Sequence, residues 1–205
     1  DRRQRQMCIR DSIKTVKSRR SVRNFTNEPV LEKDMRACLE LTVLAPNSSN
    51  LQPWEFYWVR TAEKKKKLID YCLGQPAAST AQELVVAVAR PDYWKVNQKR
   101  MLTLIDEIGE KAPRSVRKYY GKIVPLAYQQ GFLSIKGYVK KIAMEIRGLK
   151  KPTPREPYNK KGMAIWAHKS TALACENLML SLRAYGYDSC PTVSYTHLTL
   201  PTIAL

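Results

Sequence analysis

The feature that most limits how this chain can fold is its longest unbroken helical pattern, "AIWAHKSTALACENLMLSLRAYG". Apolar positions recur there at helical spacing, and Gly186 stands at the position just past the end, where a glycine lets the backbone leave its last turn. "WEFYWVR" alternates aromatic and polar residues as a half-buried strand does. "ELVVAVAR" is an apolar run short enough to be a buried strand. Upstream, "SIKTVKSRRS" reads as a short helix running into a basic turn. "NEPVLEKDMRACLELTVLAP" has Pro29 near a helix start, acidic Glu32 and Asp34 early, and Leu31, Met35, Cys38, Leu39, Thr42 and Val43 at helical spacing until Pro46 ends it. "AEKKKKLIDYCL" is a short helix with a lysine face. From Trp94 the pattern turns helical and basic, "KKPTPREP" is an extended connector, and "YDSCPT" begins a strand after the long helix. Helices with interspersed strands, and no internal repeat, point to an α+β or α/β class. The 205 residues suit one domain with a sizeable core.

The two ends read differently from what lies between them. "DRRQRQMCIRDS" (1–12) has no periodicity, and "VSYTHLTLPTIAL" (193–205) is a Thr/Leu-rich run without charge. Both resemble translated sequencing-adapter read-through. On that reading residues 13–192 form the domain, its C-terminal part is cut away, and residues 95–160 are a variable basic helical cover within it.

Charge narrows the partners. The net charge is +18. Lys95–Lys161 holds 17 Lys/Arg against 5 Asp/Glu, which places +12 of it in one third of the chain. Such a distribution suits an anionic ligand, an acidic membrane surface or nucleic acid. The five cysteines are scattered with no CxxC, and only His168 and His197 accompany them, so no metal site is expected. No run reaches the roughly 18 apolar residues of a membrane-spanning helix. His168 beside Lys169 is read as a surface or capping group. The aromatic set Trp54, Phe56, Tyr57 and Trp58 is explained by strand alternation, so no nucleic acid is expected as a partner.

"SRRSVRNF" (18–25) crowds Arg19, Arg20 and Arg23 around Ser21. Guanidiniums that close repel one another, so an anion between them is one explanation and a solvated basic turn the other. "APNSSNLQPWEF" follows about 25 residues later, and "STALACENLMLSLRAYGYDSCP" comes late in the chain. The three together, in this order and spacing, resemble the FMN-dependent nitroreductase family over about residues 13–192.

That resemblance implies an α+β nitroreductase-like fold with a central, mainly antiparallel sheet flanked by helices. It implies that Arg19, Arg20, Ser21 and Arg23 hold the FMN phosphate and ribityl chain, where forked charged donors and a short hydroxyl suit a dianion. Pro46, Asn47, Ser48 and Asn50 match the loop that packs on the isoalloxazine ring of the other subunit, with Gln52, Pro53 and Trp54 anchoring it. The implied activity is that of a cytoplasmic homodimer with FMN at the interface. It passes electrons from NADH or NADPH to a small electron-poor acceptor such as a nitroaromatic or quinone by a ping-pong route. No side chain is assigned as a catalytic nucleophile or base, because the cofactor carries the chemistry. After Pro191 the chain departs from the family pattern, and weakened FMN retention is the expectation. Two alternatives stand beside this. "GFLSIKGYVKKIAMEIRGLKK" sets Phe132, Leu133, Ile135, Val139, Ile142, Met144 and Ile146 among five lysines and one arginine, as in a basic helix lying on an anionic membrane. The other is a dehalogenase or flavin-destructase chemistry on the same fold.

Overall fold

In the computed structural model the long helix forms where the periodicity places it and starts four residues earlier, spanning Lys160–Ala184. Asn159 provides the start, its Oδ1 accepting the Gly162 amide at 2.8 Å. At the other end the Tyr187 amide reaches the Leu182 carbonyl and the Gly186 amide that of Arg183, at 2.9 and 3.1 Å. This double bond needs a left-handed residue at its centre, and Gly186 has φ 90°.

The structure describes residues 11–131, 135–153 and 156–193. Apart from Asp11, Ser12 and Val193, the two terminal segments read as foreign lie outside the described residues, as do Phe132, Leu133 and the centre of the "KKPTPREP" connector. In chain order the helices are α1 (11–18), α2 (Glu32–Thr42), α3 (Ala62–Tyr71), α4 (Pro76–Ser79), α5 (Trp94–Ile108), α6 (Arg114–Lys118), α7 (Val124–Tyr128), α8 (Ile135–Gly148) and α9, the long helix. A π-turn, Tyr119–Ile123, joins α6 to α7. Strands β1 (Trp54–Val59) and β2 (Leu84–Ala89) pair as a small antiparallel sheet. The architecture is α+β, as expected. No described helix is long and apolar enough to cross a membrane.

Two sequence expectations change. β2 is half-buried, with Ala87 exposed, because among the described residues the sheet has only two strands and neither is sandwiched between others. "YDSCPT" forms a single parallel bridge, Ser189 to Ser21, in place of a strand.

The chain divides into two compact units. The first takes in the chain up to Ala45, Phe56–Ala87 and the chain from Ala174. Its core is Met35 and Cys38 of α2 against Leu178 and Leu182 of α9, with Phe56, Trp58 and Val85 packed around them. The four-residue spacing along α9 is the stripe that the sequence shows. Thr61 caps α3 by accepting the Lys64 amide. Of the lysine face only part is solvated, since Lys65 donates to Gln82 O at 2.6 Å and pairs with Glu83 at 3.1 Å.

The second unit comprises Pro46–Glu55 and Val88–Leu173. Its core joins Leu51, Trp94, Ile105, Tyr120, Val124, Tyr128 and Met163, with Trp166 packed on it. Aromatic rings make up much of this contact, Tyr128 lying 4.7 Å from Trp166 and 6.1 Å from Trp94 between centroids.

Candidate functional site

The basic turn follows directly on α1. Arg19 is partly buried, with its side chain 27% exposed and Nε 3.9 Å from the Glu176 carboxylate. Its Nη1 is buried and has no hydrogen-bond partner among the described residues. A charged donor in that state costs on the order of 1–3 kcal/mol, and an acceptor brought to it recovers that cost. Ser21 forms its bridge with Ser189, and the Val22 amide bonds Ser189 O at 3.3 Å. The Ser189 hydroxyl oxygen is likewise buried without a partner among the described residues. Arg20 points elsewhere: its Nη1 donates to Lys17 O and Arg19 O, both at 2.7 Å, capping the end of α1. Arg23 is exposed.

Arg183 was not singled out from sequence, yet it ties this region together. From the last turn of α9 its Nε donates to Ser18 Oγ at 2.9 Å and its Nη1 pairs with Asp188 at 2.8 Å. The available signal was an arginine at a helix end with an aspartate five residues on.

The predicted loop lies in the second unit and is held tightly there. Ser49, Asn50 and Gln52 have φ of 59°, 48° and 39°. Left-handed backbone costs a non-glycine residue roughly 1–2 kcal/mol, so such a run persists only where its surroundings fix it. They do so here. Asn47 Oδ1 accepts the Gln52 amide at 2.8 Å, and Ser48 Oγ meets the Tyr128 hydroxyl at 2.9 Å. Ser49 Oγ meets the Tyr119 hydroxyl at 2.7 Å, while the Tyr120 hydroxyl donates to Ser49 O at 3.0 Å. Buried Asn97 of α5 donates to Leu51 O at 2.8 Å. Burial also pushes the Tyr120 hydroxyl pKa up, keeping it a neutral donor. The Asn50 side chain donates to Met101 Sδ at 3.7 Å, and Pro46 opens the loop after α2. Tyr119, Tyr120, Tyr128 and Asn97 therefore position the loop, and sequence reading missed all four.

Behind the loop, Pro53 O accepts the Arg90 amide at 2.8 Å and the Thr171 hydroxyl at 3.2 Å, as befits an anchor. Arg90 also pairs with Asp92 at 2.7 Å and Glu55 at 2.5 Å, which hold its pKa above the ordinary guanidinium range.

His168 is an exposed residue midway along α9, with Nδ1 2.7 Å from Ala164 O. Cys38 is fully buried, and burial followed by the Asp34 charge pushes its thiol up to about 11. Among the described residues no group of three or more His, Cys, Asp or Glu is placed to hold a metal ion.

The nitroreductase family model matches residues 16–196. The chain belongs to the nitroreductase family. A Staphylococcus haemolyticus protein named "Putative NAD(P)H nitroreductase SH0546" is 28% identical over 181 residues, covering 87% of this chain and 72% of that protein. Among solved structures, one from Exiguobacterium sibiricum described as a "putative nitroreductase in complex with FMN" is 26% identical with a TM-score of 0.60, covering 90% of this chain and 75% of that one. A nitroreductase-like structure from Bacillus subtilis shares the fold at a TM-score of 0.68 and 18% identity, over 92% of this chain and 77% of that one.

Proposed function

We propose that this nitroreductase-family chain is an oxidoreductase that binds FMN by its phosphate at the Arg19–Ser21 turn. The observation carrying this reading is the buried Arg19 Nη1, without an acceptor among the described residues, two positions before Ser21 and its bridge to Ser189, whose hydroxyl has no partner among them either. The donor set fits the group. A guanidinium fork and short hydroxyls satisfy phosphate oxygens, and the burial of Arg19 Nη1 and Ser189 Oγ strengthens the bonds those two atoms make. Arg19, Ser21 and Ser189 hold the phosphate, exposed Arg23 is free to fold over it, and Arg183 keeps the turn against α9. Arg20 contributes by fixing the end of α1. The relative solved with FMN supports the choice of cofactor, and the name of the S. haemolyticus relative supports NADH or NADPH as donor.

The chemistry supplied by bound FMN is hydride acceptance from NADH or NADPH and electron delivery to a small electron-poor acceptor such as a nitroaromatic or quinone. The chain's own part is to bind and orient. Pro46, Asn47, Ser48 and Asn50 present a rigid loop, its left-handed residues clamped by Tyr119, Tyr120, Tyr128 and Asn97, for the flavin ring of a second copy. The working protein is on this reading a cytoplasmic homodimer.

Equilibrium titration with FMN and with riboflavin, followed by flavin fluorescence, tests the phosphate assignment. The protein should prefer FMN, and Arg19→Ala should weaken FMN by about 10- to 100-fold, the worth of charge-assisted bonds, while leaving riboflavin almost unchanged. Equal affinity of the wild type for both flavins would overturn the reading.

A further inference from the structure

Helix α8 turns its apolar side outward. Ile135, Tyr138, Val139, Ile142, Ile146 and Leu149 are 59, 51, 64, 62, 64 and 83% exposed, at intervals of three and four residues that put them in one stripe. The opposite side is the one that packs. Gly137 is buried so closely that a Cβ there would overlap the Tyr158 carbonyl oxygen. Lys140 runs inward to donate its Nζ to Ala127 O at 2.5 Å and Pro157 O at 2.6 Å. Met144, read from sequence as part of the apolar face, lies half-buried towards that packed side. A soluble helix ordinarily does the reverse, so the exposed stripe needs an occupant.

The charges around the stripe say which. Helical geometry sets Lys136 and Arg147 towards one border and Lys141 beyond the other, where its Nζ lies 4.8 Å over the Tyr158 ring; Glu145 is the one acidic residue of the helix, and Lys150 and Lys151 follow at the C-terminal end. A second copy would bring the same cations to the same place. With +12 of the net charge within residues 95–161, that stripe-to-stripe pairing of α8 is repelled, whereas the dimer proposed above rests on the 46–50 loop and the Arg19 turn. An anionic bilayer surface satisfies both features, since acyl chains take the stripe and headgroups take the lysines. At 14 residues α8 is too short to cross a bilayer and suited to lie in its plane. We infer that α8 is a peripheral docking face for an anionic lipid surface. The inference is independent of the flavin reading, because none of these residues belongs to the Arg19 turn or the 46–50 loop.

Co-sedimentation of the full chain with vesicles of phosphatidylcholine and phosphatidylserine, against phosphatidylcholine alone, tests it at low and at physiological salt. The wild type should partition to the mixed vesicles and fall away as salt rises. Val139→Ser/Ile142→Ser/Ile146→Ser keeps the charge constant and should lower partitioning at least tenfold, which electrostatic attraction of a basic protein alone would not produce. Lys136→Gln, Lys150→Gln and Lys151→Gln should each cost about fivefold at low salt. If the triple variant loses its circular-dichroism helix signal, the single change Ile142→Gln carries the same comparison. Serine variants that partition like the wild type would overturn the inference. So would a wild type that does not prefer anionic vesicles, or a dimer in sedimentation velocity that the serine changes dissolve while vesicle binding stays intact.

Discussion

Glu32 stands between two guanidiniums, Arg36 at 2.6 Å one turn along α2 and Arg60 at 2.9 Å beyond β1. The hydrogen bond from Arg60, then that from Arg36, holds its carboxyl down at about 2 against an ordinary 4.5. The sign of the consequence follows from proton linkage. A carboxyl whose pKa is lower in the folded than in the unfolded chain contributes stability above pH 4.5, and that contribution is lost as pH falls from there towards 2. Glu32→Gln should therefore lower the thermal midpoint at neutral pH, flatten its fall across this acid window, and converge with the wild type below it. The group is solvent-exposed, so the effect is small and best read as a difference in slope. Melting curves that stay parallel between pH 5 and 2 would show that the two arginines do not act through Glu32. The basic turn is also decided residue by residue. Three clustered arginines have three different fates, one partly buried with its Nη1 lacking a partner among the described residues, one turned back onto a helix end, one exposed. Nothing in the sequence separates them, because each fate depends on what the other elements bring near.

At the scale of elements, short-range pattern carried far. The end of α9, the buried Met35, Cys38 and Thr42 of α2, and the strand character of β1 follow from periodicity, capping and punctuation within a few residues, whereas Leu31 and Val43, read onto the same face of α2, are exposed. What the pattern does not carry is orientation. The α8 stripe is plain in "IKGYVKKIAMEIRG", yet whether it faces core or solvent is settled by Gly137, whose missing side chain admits the Tyr158 backbone. The same limit hid the loop's supports, since Asn97 bonds a carbonyl 46 residues upstream and Tyr128 a hydroxyl 80 residues upstream. α8 gives this argument a direct check. Gly137→Ala should destabilise by about 1–3 kcal/mol, because the obstructing atom is backbone and cannot swing aside. Gly121→Ala, in the π-turn with no atom within 4 Å of the new Cβ, should be neutral or stabilising by up to about 1 kcal/mol. Urea midpoints of the two variants should move in clearly different ways. Equal midpoints would mean that the Tyr158 contact does not seat the helix.

On the scale of the whole molecule the governing quantity is where the charge lies. Removing both terminal segments from the count leaves +16 of +18, so the basic character belongs to the body, and most of it to residues 95–161. Several of these cations are exposed and borne on α5, α6 and the turn that follows, Lys99, Lys118 and Lys122 among them. Exposed like charges concentrated in one part of a protein raise the local concentration of an anionic ligand and speed its arrival, and both effects decay once the Debye length falls below about 10 Å. On the proposed reading the ligand is the phosphate-bearing nicotinamide donor, and NADPH carries more negative charge than NADH. Lys99→Glu/Lys118→Glu/Lys122→Glu should then raise the KM for NADPH several-fold at low ionic strength, raise that for NADH less, and leave kcat in place. The difference should close as salt approaches physiological strength. Steady-state kinetics at two ionic strengths separates this from damage to the site, since a misplaced loop would lower kcat at every salt concentration and affect both donors alike. An unchanged KM for NADPH at low salt would assign the basic surface to another partner, and the vesicle measurement on α8 then becomes the direct test of which one.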